Sequence, residues 1–195
     1  MLQTARLDGR RAGRTRAVRA IRRKTSLLEI AYAQAGIAPP AAMPVAAEKI
    51  PHPYRSLLVH EGEMTRTLEA HVGGHVGLRV LSTRARARAY FRRVLLVEEA
   101  SGHPVLMGAV RLTLEALPRS VRADVARGHV PLGRVLRAAG IDFLSRPTGY
   151  FAVTPNSELM GLFWMKAPDT LYGRETDVLL SGRKIGEIVE ILPPN

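Results

Sequence analysis

The sequence predicts an α+β protein built on one antiparallel β-sheet. Three observations predict it. Strand-like stretches rich in β-branched and aromatic residues follow one another through short glycine turns, at Ser101-Gly102 and around Ser181-Gly182-Arg183. A single helical pair interrupts them, over 118–127 and 131–139, separated by Gly128 and restarted at Pro131. No glycine-rich strand-to-helix turn appears, which argues against a parallel dinucleotide-binding sheet.

The elements follow in order. Residues 26–36 read as a short helix, with Ser26 and Glu29 as a capping box and Gly36 past its end. Five prolines between 37 and 53 mark an extended linker, and the compact domain is expected from residue 54 to 195. Residues 64–71 look helical and stop at Gly73-Gly74. Strands are expected over 75–83, 89–98 and 104–114, then, after the helical pair, over 149–154, 159–166, 177–181 and 184–192.

The 195 residues allow one domain with an ordinary core. No apolar run approaches the ~18 residues that span a bilayer, and no membrane partner is expected. The chain has no cysteine, which excludes disulfides and thiolate chemistry and fits a reducing compartment, so a cytoplasmic location is expected. The formal charge of +12 is uneven: residues 1–24 hold eight arginines and Lys24 against Asp8, a net of +8. That segment reads as a flexible, solvated basic extension, with a polyanion-binding arm or a transit-like segment as alternatives. It has no interleaved aromatics on which bases could stack.

Several motifs carry little chemistry. His71 and His75 have an HxxxH spacing, but two central glycines oppose a helix and no third ligand is near, so a polar turn is expected and no metal. There is no Gly-x-Ser-x-Gly nucleophile elbow. Glu98-Glu99 sit at a strand end beside a turn and read as solvated.

Arg92 differs. On a strand it shares one face with Tyr90, Val94 and Leu96, while Arg93 shares the other with Phe91 and Leu95. Both faces are largely apolar, so a guanidinium is directed into covered space, where it needs an anion. That anion is either a structural carboxylate or a ligand. Glu63-Met64-Thr65 and Pro131-Leu132-Gly133-Arg134 look like helix starts, whose free N–H groups suit a carboxylate. Glu190, in the last strand, lies in apolar surroundings where a carboxylate can exchange protons near neutral pH; an ion pair with Arg92 is its structural alternative.

Taken in order, residues 57–65, 92–96, 131–136 and 180–193 resemble the chorismate pyruvate-lyase family, over roughly Tyr54 to Pro193. The resemblance implies an antiparallel sheet with helical flaps over a buried pocket. It also implies cleavage of chorismate to 4-hydroxybenzoate and pyruvate, a step towards ubiquinone or another aromatic product, without metal or organic cofactor. By matching motifs the pocket would comprise Met64, Arg92, Leu132 and Glu190, with Arg92 and Glu190 catalytic. Anchoring instead on Tyr90 would place Arg93 in the pocket, and a longer loop before the last motif would offer Glu187 in place of Glu190.

The expected enzyme is a monomer whose partner is chorismate, touching nucleic acid through nothing but its basic segment. No helix-turn-helix precedes the domain, which disfavours a transcription-factor reading. The same fold is shared with regulatory small-molecule-binding domains, so the alternative is a non-catalytic module that binds an aromatic carboxylate. A related lyase with another product is a third reading.

Overall fold

The computed structural model describes residues 26–86 and 89–194; the basic segment 1–24 lies outside them. The core is one antiparallel seven-stranded sheet, in the order β1-β5-β6-β7-β4-β3-β2. The strands are β1 (Ala41–Pro44), β2 (Val76–Arg86), β3 (Ala89–Glu98), β4 (Pro104–Thr113), β5 (Phe143–Thr154), β6 (Leu171–Leu180) and β7 (Arg183–Ile191). The helices are α1 (Leu27–Ala35), α2 (Tyr54–Leu58), α3 (Met64–Val72), α4 (Arg119–Arg127), α5 (Leu132–Ala138) and α6 (Ser157–Leu162). The fold is thus α+β with helices on both faces.

Local chemistry sets the boundaries. The Ser26 hydroxyl accepts from the Glu29 N–H at 3.2 Å and the Glu29 carboxylate accepts from the Ser26 N–H at 2.8 Å, so α1 opens on a complete capping box. Between β6 and β7, Ser181 and Gly182 both adopt positive φ, +50° and +76°, the backbone a two-residue hairpin requires.

β5 and β6 each begin six residues before the strands expected at 149 and 177, and two further segments change their type or place. Residues 41–44, within the expected linker, form edge strand β1 and pair with β5. Pro44 is tolerated there because an edge strand has unpaired N–H positions, and Pro39 and Pro40 precede the strand. Residues 159–166, expected as a strand, instead give the end of α6 and a turn. The Asn156 side chain accepts from the Leu159 N–H at 3.0 Å, and Leu159 and Phe163, four residues apart, bury the same helical side.

The two faces are covered differently. On one, α1 and α6 pack through Leu28, Tyr32, Leu159 and Phe163 onto Leu95, Met107 and Val189. On the other, α2 and α3 cover one end through Leu58, Met64 and Leu68 against Val94 and Leu106. There, α4 and α5 cover the other end through Val121, Val125 and Leu136 against Val110 and Val178. A cavity remains between these two helical pairs. Among the described residues no helix is long and apolar enough to cross a membrane.

Candidate functional site

The cavity is small, about 60 Å³, and its floor is the sheet: Val94, Gly108, Val110 and Ile188. Its roof is the first turn of α3 with Glu63, Met64 and Thr65, and the first turn of α5 with Leu132 and Gly133. Arg92 and Glu190 reach it from β3 and β7. All four residues named from the sequence, Met64, Arg92, Leu132 and Glu190, therefore line one cavity.

Strand alternation brings Arg92 there. It pairs in register with Val110, and Val110 with Ile188, so the three stand in one row on the same face. Arg92 is 2% exposed and its Nε and Nη1 have no hydrogen-bond partner. No carboxylate forms an ion pair with it among the described residues. Its head lies under Gly128, where a Cβ would come within 3.1 Å of both Nη1 and the Tyr90 hydroxyl. Burial pushes the guanidinium below its ordinary range, and the neighbouring Tyr90 partly offsets this. An arginine remains a cation at any working pH, so this is a buried positive charge facing a cavity.

Arg93, the alternative, points the other way. It pairs with Glu158 of α6 and lies over the Tyr32 ring at 4.5 Å, fastening α6 and α1 to the opposite face. Burial pushes the Tyr32 hydroxyl well above its ordinary range. Glu187 is on that opposite face too, bonded to Arg111 and, at 2.6 Å, to Lys184. A larger groove of about 320 Å³ lies there, lined by Glu175, Asp177, Glu187 and Lys184. Lys184 also reaches Asp177 at 2.5 Å, so these charges already answer one another.

Glu190 is 6% exposed and its partner is Arg174, its register partner on β6, not Arg92. Arg174 is fully buried and donates through Nη1 to the carbonyls of Leu58, at 3.1 Å, and His60, at 2.9 Å. Glu190 thus fixes Arg174, and Arg174 fixes the loop that leads into α3. The His60 ring also holds that loop, bonding to the Leu57 carbonyl at 2.8 Å and accepting from the Gly62 N–H at 3.0 Å. Burial, with Arg174 nearby, lowers the His60 pKa.

Neither helix start is capped by a side chain. The first backbone bonds run from the Thr67 N–H to the Glu63 carbonyl and from the Val135 N–H to the Pro131 carbonyl, both 3.1 Å. The N–H groups of Met64 and Thr65 therefore have no acceptor within α3. Two ion pairs, Arg134–Glu69 and Arg137–Glu63, tie α5 to α3 above the cavity.

Sequence reasoning missed Arg174 and Glu63. Arg174 lies in a stretch not read as strand, so its alternation into the core was not visible. Glu63 read only as the residue before a helix.

No protein-family model matches the chain, and a search of curated proteins found no match. Solved structures do. PhnF from Mycobacterium smegmatis matches at 15% identity, over 70% of this chain and 65% of that one, with a TM-score of 0.49. Its effector domain matches at 14%, over 70% and 91%, with a TM-score of 0.47. A GntR-family transcriptional regulator from Bacillus cereus matches at 14%, over 61% and 92%, with a TM-score of 0.43. With 57% of YydK from Bacillus subtilis also covered, the chain spans less than two thirds of the longer proteins it matches. These neighbours are named as transcriptional regulators and effector domains, not lyases. The finding overturns the expectation of a chorismate pyruvate-lyase, of ubiquinone biosynthesis, of chorismate as substrate and of nucleic acid as an unlikely partner. The likeness to these structures is one of fold and assigns this chain no role by itself.

Proposed function

We propose that this chain binds a small aromatic carboxylate without converting it, in the cavity between the sheet and the starts of α3 and α5. One observation carries the reading: Arg92 is a buried cation whose Nε and Nη1 lack acceptors and which faces the cavity. An uncompensated buried charge is strongly unfavourable, and an incoming carboxylate removes that penalty. Arg92 supplies the charge, and the N–H groups of Met64 and Thr65 supply dipoles of the matching sign. Leu132 and the apolar floor exclude water around the ligand. Glu190 serves the site through Arg174, by holding the loop before α3.

At about 60 Å³ the cavity falls below the ~300 Å³ at which ordinary ligand pockets begin, so a ring-sized ligand enters as α3 and α5 part. A ligand-responsive role, of the kind the name of the PhnF effector domain gives that protein, is consistent with such a module. The test is thermal unfolding in the presence of benzoate, 4-hydroxybenzoate or the neutral isostere benzamide. The carboxylates raise Tm and benzamide does not. Equal shifts with benzamide, or none with either carboxylate, would refute the reading.

A further inference from the structure

Glu63 places a second unsatisfied group in the same cavity. As the residue before α3 it makes no side-chain cap on that helix, so its carboxyl is free to lean across towards α5. A Cβ at Gly133 would fall 2.2 Å from Glu63 Oε1, so the carboxyl rests on Gly133, where a larger residue would displace it. Oε2 accepts from Arg137, but Oε1 is buried with no donor. Burial raises the Glu63 pKa, with Arg137 pulling it back down.

Two unmet demands therefore line one cavity. Arg92 Nε and Nη1 lack acceptors, though Tyr90 lies beside the guanidinium, and Glu63 Oε1 lacks a donor; the two form no ion pair with each other. A plain carboxylate answers Arg92 alone and leaves Oε1 as unmet as it was, so it gains nothing from Glu63. A ligand with a donor set apart from its carboxylate answers both.

We propose that Glu63 is the specificity-determining residue of this cavity: its free Oε1 accepts a hydrogen bond from the ligand. The ligand class is then a small carboxylate that also carries a hydroxyl or amino group. This rests on the anion-binding reading of Arg92. A second carboxylate in place of the donor is rejected, because it would meet Oε1 as a like charge.

The experiment is calorimetric titration of the full chain with benzoate, its three hydroxybenzoate isomers, 4-aminobenzoate and terephthalate. Wild type, Glu63→Ala and Glu69→Ala are compared; the last breaks the other α3–α5 ion pair without touching the cavity. The expected result is that at least one hydroxy- or aminobenzoate binds wild type about tenfold or more tighter than benzoate. That preference falls below about threefold in Glu63→Ala, while benzoate affinity holds, and it survives in Glu69→Ala. Terephthalate binds weakest. The proposal is overturned if wild type shows no preference for a donor, if Glu63→Ala keeps the preference, or if Glu63→Ala and Glu69→Ala weaken all ligands alike. It is also overturned if terephthalate binds as tightly as the hydroxybenzoates. Binding of benzoate alone would leave the Arg92 reading standing, whereas binding of no probe by folded wild type would remove both.

Discussion

Arg92 and Arg93 are adjacent in β3, and one has a carboxylate partner while the other has none among the described residues. Arg93 pairs with Glu158 on the face covered by α1 and α6; Arg92 stands unpaired over the cavity on the other face. The pair separates a structural arginine from the one proposed to hold a ligand, and their substitutions should behave oppositely.

Arg92→Met keeps length and packing while deleting an uncompensated charge. Ligand-free Arg92→Met should be more stable than wild type by about 1 kcal/mol or more. Chemical denaturation with an unchanged m-value would check this.

Arg93→Met leaves Glu158 without its partner and removes the cation over Tyr32. A loss of about 3 kcal/mol is expected, with carboxylate affinity unchanged in protein that remains folded. Denaturation and calorimetry on the same sample separate the two effects.

Glu190→Gln should act through stability. It strips the charge that compensates Arg174, so unfolding becomes easier by about 3 kcal/mol. Adding Arg174→Met should recover part of that loss, a non-additivity that a double-mutant cycle measures.

Glu63 gives a pH dependence. Its folded pKa is raised above the ordinary 4.5, so the folded state holds this proton more tightly than the unfolded chain. Its contribution to stability is therefore complete below about pH 4.5 and is lost as pH rises through the folded value. Glu63→Gln cannot lose that proton. It should have a Tm about 2–4 °C above wild type at pH 7, and the gap should close towards pH 4. A gap that stayed constant with pH would show that the carboxyl is not responsible.

Gly108→Ala tests the cavity floor. An added Cβ would lie 3.3 Å from Leu106 Cδ2 and Val94 Cγ2, a contact these side chains can relieve by moving slightly. It occupies ligand space, so carboxylate affinity should fall about tenfold with Tm within a few degrees of wild type.

Local signals were legible where they were self-sufficient. The Ser26–Glu29 capping box, the Ser181-Gly182 hairpin and the strand phase that separates Arg92 from Arg93 follow from short stretches of chain. Long-range pairing was not legible. Nothing near residues 41–44 shows that they join β5, and nothing near Glu190 shows that its partner is Arg174, sixteen residues earlier on the neighbouring strand. The stretch 159–166 misled because Leu159 and Phe163 suit one side of a strand as well as one side of a helix; the Asn156 cap decides it. The function drawn from the resemblance failed differently, because a fold and a pocket do not by themselves specify turnover.

The most direct measurement is calorimetric titration of 4-hydroxybenzoate into wild type and Arg92→Met. The account expects one-to-one binding to wild type and a loss of about 100-fold in the variant, with circular dichroism unchanged. Equal affinity in the two proteins would show that Arg92 holds no carboxylate and would contradict the account.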